Sequence, residues 1–201
     1  TLSSSELAAV KGSYDFVGLN VYSRFHVAFD LKLPRQLFAR IFVPSHVPQG
    51  DSGVEQPYGE AYPQAITYAV ERAARLGAPM YILENGVPDR EDRIRPWLIS
   101  EAVGQLGQLL RRGFDVRGYF HWTLVDNFEW SEGWRLRFGL VSLDPETQER
   151  IMRPSARLYA SIAQSNGVVP DHQPEYRLTP PECPVACLQP ATGELSIADG
   201  P

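Results

Sequence analysis

One short segment constrains this chain more than any other. Pro79 to Leu83 is an apolar run opened by proline and too short for a helix, and Asn85-Gly86 forces a turn directly after Glu84. The pattern predicts a buried strand that delivers one carboxylate at its carboxyl end, the rim where α/β barrels carry their chemistry. Taken alone, Glu-Asn-Gly reads more readily as an acidic strand cap facing water. A second segment tilts the balance. Gly118-Tyr119-Phe120-His121-Trp122-Thr123-Leu124-Val125-Asp126-Asn127-Phe128-Glu129-Trp130 is again an apolar strand that ends in aromatics and carboxylates.

Periodicity fills in the rest. Ser13 to Tyr22, with the run Tyr14-Asp15-Phe16-Val17-Gly18-Leu19-Asn20-Val21-Tyr22, predicts a first strand. Residues 23 to 57 hold several Pro and Gly and little clean period, so a long irregular loop is expected, and long loops in compact domains are usually functional. Helical spacing of Ala65, Ile66, Ala69, Val70, Ala73 and Leu76 predicts a helix over 58–76, stopped by Gly77. The second strand is then 79–84, and Ile99, Val103, Leu106, Leu109 and Leu110 mark a helix over 94–112. A third strand at 117–124 and a last helix at 154–164 complete the order. Repeated strand–helix alternation is an α/β pattern, with a parallel sheet covered by helices. Three such units fall short of the eight strands and about 250 residues of a closed barrel, and an open parallel sheet leaves its edges unpaired. One partial domain is expected over residues 1–167, followed by a Pro-rich, mostly irregular tail over 168–201.

Composition excludes several classes. The chain has 201 residues, 43% of them hydrophobic, and a formal charge of −5 spread without long blocks of either sign. That spread gives no reason to expect a nucleic acid or an anionic membrane as partner. No apolar run approaches the roughly 20 residues needed to span a bilayer. No charged-then-apolar signal opens the chain, and because the first residue is Thr1 the start of the gene product is expected upstream. Cys183 and Cys187 both lie in the tail, so no disulfide framework is needed and a reducing, cytoplasmic setting is the default. These cysteines with His172 fit no common zinc spacing, and no metal is expected. Asp89, Glu91 and Asp92 are interrupted by Arg90 and Arg93, which reads as a solvated loop. His121 alternates with Trp122 and should point toward the helices.

Tyr81-Ile82-Leu83-Glu84-Asn85-Gly86, together with Gly118–Trp130 and Arg137-Phe138-Gly139, closely resembles family 1 glycoside hydrolases, the β-glucosidase and β-galactosidase group. Asp15–Tyr22 resembles that family's sixth barrel strand, and Arg150–Tyr159 the start of its final helix. The resemblance covers residues 12–167 and implies the C-terminal part of a (β/α)8 TIM barrel, strands six to eight with their helices, incomplete in this chain. It implies a retaining β-glycosidase that hydrolyses O-glycosyl bonds of unphosphorylated β-glucosides or β-galactosides without a cofactor. By the same resemblance Glu84 is the nucleophile at the end of strand seven and Tyr22 orients it. Asn20 lines the pocket, Trp122, Glu129 and Trp130 form the sugar subsite, and Phe138 is a wall.

The departures from the family are mostly absences. The acid/base glutamate of a Thr-x-Asn-Glu segment is not in this sequence, nor are the glutamine, the His-Trp pair and the arginine of the family's first half. Gly59-Glu60-Ala61-Tyr62-Pro63 stands where a tryptophan usually precedes the sixth helix, and Thr123 replaces a common serine. The expected partners are therefore a β-linked sugar and an N-terminal half or second chain completing the barrel. The alternative is a non-catalytic half-barrel module for sugar binding or scaffolding.

Overall fold

The structure, a computed structural model, describes residues 3–51 and 58–168. A short helix, α1 (Ser4–Val10), leads into strand β1 (Val17–Asn20). Four short strands follow: β2 (Ser23–Arg24), β3 (His26–Phe29), β4 (Ala39–Phe42) and β5 (Glu60–Ala61). Helix α2 (Ala65–Ala73) tightens into a 3-10 turn over Ala74–Leu76 and stops at Gly77, where φ is 69°. Strand β6 (Met80–Asn85), helix α3 (Arg95–Arg111) and strand β7 (Val116–His121) form the centre. A hairpin of β8 (Val141–Leu143) and β9 (Arg150–Met152) then precedes helix α4 (Pro154–Ser165).

The central sheet is parallel, in the order β1-β6-β7. Its alternation divides the side chains cleanly. Val21, Met80, Ile82 and Val116 face α2 and α3, where they pack with Ile66, Val70, Ala102, Leu106 and Leu109. A second cluster of Ile99, Leu140, Leu158 and Ile162 seats α4 on α3. The opposite face is bare: Phe16 is 50%, Leu83 41% and Phe120 53% exposed. Leu83 lies against Gly18, where a Cβ would come within 2.3 Å of its Cδ1, and Phe16 meets Tyr81 edge-on at 5.3 Å. Parallel sheets are normally covered on both faces, and among the described residues no layer covers this one. No helix among them is long and apolar enough to cross a membrane.

Several sequence expectations change here. The stretch from 23 onward is not irregular throughout: β2 pairs with β5, and β3 with β4 in the register Val27↔Ile41 and Phe29↔Ala39. The hairpin tip closes through a 3-10 turn at Pro34–Gln36. Helix α2 starts seven residues later than expected, because Glu60–Ala61 pairs as β5 and Pro63 accepts from Ile66 N–H in the opening turn. The third strand ends at His121, not at 124. The acidic loop is not solvated at Asp89 or Asp92. Asp89 is 4% exposed and accepts the backbone N–H groups of Ile94 at 2.7 Å and Arg95 at 2.9 Å. Asp92 pairs with the fully buried Arg95 and accepts the Ser155 N–H at 2.7 Å, tying α3 to α4. From residue 169 the expected tail, with Cys183, Cys187 and His172, lies outside the described residues.

Candidate active site

The carboxyl ends of β1, β6 and β7 converge on one point, and a single buried side chain fastens them. Asn85, 1% exposed, donates from Nδ2 to the Val21 carbonyl at 2.7 Å and accepts the Tyr119 hydroxyl on Oδ1 at 2.8 Å. Backbone bonds reinforce the junction, from Val21 N–H to the Glu84 carbonyl at 2.8 Å and from Trp122 N–H to the Asn85 carbonyl at 2.9 Å. Gly86 follows because nothing larger fits: a Cβ there would sit 2.0 Å from the Trp122 carbonyl oxygen. Glu84 is therefore presented at the rim by a backbone held on both sides.

The Tyr22 hydroxyl donates to Glu84 Oε2. Burial, then that bond to the carboxylate, push the Tyr22 phenol far above its usual range, so it stays a donor and Glu84 its acceptor. Across the cleft, Trp122 Nε1 donates to Glu129 Oε1 at 3.2 Å. Glu129 is raised above the ordinary carboxylate range, first by burial and then by Asp126 and Glu84, with the bonds from Trp122 and Asn127 working against the rise. The peptide between Trp122 and Thr123 is cis. Phe138, 2% exposed, packs its ring edge-on to Tyr22 at 6.2 Å.

The loop carrying Glu129 is held from beneath by Asp126, which is 2% exposed. Its carboxylate accepts Gly139 N–H at 2.8 Å and both Nη atoms of the buried Arg153 at 3.2 and 3.0 Å. Below the rim, His121 points to the helix side as its alternation predicts, with its ring 6.3 Å from that of Tyr159 on α4. Burial, aided by the Arg95 charge, lowers its pKa to about 3, so its imidazole is neutral.

Of the residues expected at the site, Tyr22, Glu84, Trp122, Glu129 and Phe138 are drawn together. Asn20 and Trp130 stand at the open rim; their side chains make no hydrogen bond to the described residues, and Trp130 is 83% exposed. Asn85, Asp126, Arg153 and Tyr58 escaped the sequence reading. Asn85 had a signal, since it directly follows Glu84, but it was spent there on the turn. Among the described residues no group of His, Cys, Asp or Glu is placed to hold a metal.

The profile of glycosyl hydrolase family 1 matches residues 1–168. The chain belongs to glycosyl hydrolase family 1. It is 34% identical to a β-galactosidase of Pyrococcus woesei over 170 residues, 79% of this chain and 33% of that protein. It is 32% identical to β-glucosidase A of Thermotoga maritima over 81% of this chain and 37% of that relative. Among solved structures, the family 1 β-glucosidase of Thermotoga maritima superposes with a TM-score of 0.72 at 30% identity, over 82% of this chain and 38% of that one. The β-glycosidase of Pyrococcus horikoshii superposes with a TM-score of 0.67 at 35% identity, over 77% of this chain and 36% of that one. This family 1 chain thus spans about a third of the length of those relatives, the share expected of a partial barrel.

Proposed function

We propose that this chain carries the nucleophile side of a retaining β-glycosidase site. The observation that bears most weight is the Tyr22 hydroxyl bonded to Glu84 at the carboxyl end of the central strand. An ionised, oriented carboxylate at a barrel rim is what attack on an anomeric carbon requires. A Glu84 oxygen forms the bond to that carbon as the glycosidic oxygen departs, giving a covalent glycosyl ester. Water then breaks the ester, releasing the sugar and restoring Glu84. A second carboxyl must protonate the leaving oxygen from about 5–5.5 Å away.

Glu129 is poorly suited to that second role, because Trp122 Nε1 already holds it as an acceptor. It suits recognition instead, accepting the 4- and 6-hydroxyls of a glucose or galactose ring that stacks on Trp122, with the exposed Trp130 next to Glu129 in the chain. A 6-phosphate would meet this carboxylate and be repelled, so the substrate class is unphosphorylated β-glucosides or β-galactosides. The acid/base comes from strands that this chain does not supply, in the same polypeptide or in another, and residues 1–201 alone do not turn over such substrates.

A chimera tests the reading: residues 12–167 replace the matching portion of the Thermotoga maritima relative. The folded chimera is expected to hydrolyse aryl β-glucosides, and Glu84→Gln is expected to lower kcat at least a thousandfold. Near-normal turnover in Glu84→Gln would overthrow the nucleophile assignment. A folded chimera that binds sugar without turnover would favour the module reading.

A further inference from the structure

We propose that Tyr58 is an additional substrate-binding residue, whose hydroxyl donates a hydrogen bond to an oxygen of the bound sugar. The proposal rests on the sugar site described above and adds a residue to it.

Tyr58 is fixed from both sides. Its carbonyl accepts the Ser23 hydroxyl at 3.3 Å. Gly59 follows at a φ of 117°, where a Cβ would lie 2.5 Å from Ser23 Oγ, so only glycine allows the chain to turn here. Glu60 is then clamped by Arg24, with both bonds at 2.8 Å, and by His26 Nε2 at 2.9 Å. Between these anchors the Tyr58 ring stands edge-on to Phe138 at 5.2 Å and to Tyr22 at 6.3 Å. It thereby belongs to the same aromatic wall as the residue that holds the nucleophile.

Donor supply makes the hydroxyl significant. Ionised carboxylates accept hydrogen bonds and cannot donate them. A sugar hydroxyl that donates to Glu84 or Glu129 still has lone pairs to satisfy, and these need protein donors. Two donors at this rim are already engaged, Tyr22 with Glu84 and Trp122 with Glu129. The Tyr58 hydroxyl makes no hydrogen bond to the described residues. Burial, followed by the charges of Glu129 and Glu84, pushes its pKa up to about 12, so it keeps its proton. A protonated phenol beside the Tyr22 and Phe138 rings, with its hydrogen uncommitted among the described residues, adds a donor held inside the aromatic wall to those of Asn20 and Trp130 at the open rim.

The test is a ligand-observed NMR titration of residues 1–201 with glucoimidazole, a ligand seen bound to the Thermotoga maritima β-glucosidase. Tyr58→Phe keeps the ring wall and removes only the donor. Binding is expected to weaken about three- to tenfold, the range of one neutral hydrogen bond, with the thermal midpoint unchanged. Tyr58→Ala should weaken binding further and lower the midpoint, since the Phe138 contact goes too. Tyr58→Phe binding within twofold of the unaltered chain would overturn the proposal. If Glu84→Gln still weakens binding in that case, the sugar site stands and only Tyr58 loses its role. Absence of binding by the unaltered chain would overturn the Tyr58 proposal alone, because the sugar-site reading is tested by the chimera.

Discussion

Replacing Asp126 by alanine removes the acceptor at the centre of a buried junction. The carboxylate is 2% exposed and takes bonds from Gly139 N–H at 2.8 Å and from Arg153 at 3.2 and 3.0 Å, with Leu143 N–H more distant at 3.4 Å. In Asp126→Ala the Arg153 guanidinium, 8% exposed as a side chain, keeps only the Gly139 carbonyl at 2.5 Å. Breaking one partner of a buried pair costs about 3–5 kcal/mol, mostly because the other charge remains buried. An orphaned buried N–H costs about 1–3 kcal/mol, though the two contributions overlap and do not add in full. The expected loss is about 3–5 kcal/mol, a large share of the roughly 5–15 kcal/mol that holds a domain folded. Asp126→Asn keeps an acceptor for Gly139 N–H and should lose about half as much. The exposed Asp115–Arg117 pair, with side chains 53% and 55% accessible, is the control: solvent screens it, and Arg117→Ala should leave the urea midpoint unchanged. Urea unfolding followed by tryptophan fluorescence reads all three variants, because Trp122 and Trp134 flank the loop that Asp126 holds. A loss below about 1 kcal/mol in Asp126→Ala would refute the reasoning, since the buried charge would then have found water or another partner.

Other outcomes follow from the same structure. Asn85→Ala strands the Val21 carbonyl and the Tyr119 hydroxyl together, so a loss of about 2–4 kcal/mol is expected in the same urea assay; a change under 1 kcal/mol would show that the strand ends are held otherwise. For His121 the folded pKa of about 3 lies below the ordinary 6.5, so between these values the unfolded chain binds a proton that the folded chain refuses. Its contribution is complete above pH 6.5 and is lost as pH falls toward 3, at about 1.4 kcal/mol per pH unit within that window. His121→Phe should flatten this part of the stability–pH curve, and identical slopes with and without His121 would contradict its burial. Phe16, Leu83 and Phe120 leave the inner sheet face bare, so residues 1–201 should associate on a light-scattering column and Phe120→Ser should reduce it; a sharp monomer peak would contradict that.

The strands were legible because β6 is a short apolar run fenced by Pro79 and Asn85-Gly86, and the same signal placed Glu84 at a rim. Helix α3 was nearly exact in extent, Arg95–Arg111 against 94–112, since its apolar period is long and Gly113 ends it. The β3–β4 hairpin was not legible. Its face carrying Val27 and Ile41, each 65% exposed, is not buried, so alternation there signals no core, and Pro34 in the middle reads as loop. Asp89 and Asp92 looked solvated because neighbouring charges suggested mutual screening. Asp89 is held by the Ile94 and Arg95 N–H groups and Asp92 by Arg95, contacts local in sequence that formed once α3 began there, whereas the Ser155 N–H on Asp92 is a contact that only the tertiary structure creates. Tyr58 was hidden for the same reason, since its partners Tyr22 and Phe138 are 36 residues before it and 80 after it in sequence.

The central claim is that Glu84 attacks the sugar. The most direct measurement is to treat the folded chimera with a dinitrophenyl 2-deoxy-2-fluoro-β-glucoside, whose good leaving group departs without acid help and whose fluorine slows release of the ester. Peptide mass mapping is expected to show one sugar per chain, on the Glu84 peptide, with none in Glu84→Gln. Stoichiometric label on Glu129 or any other carboxylate would contradict the account.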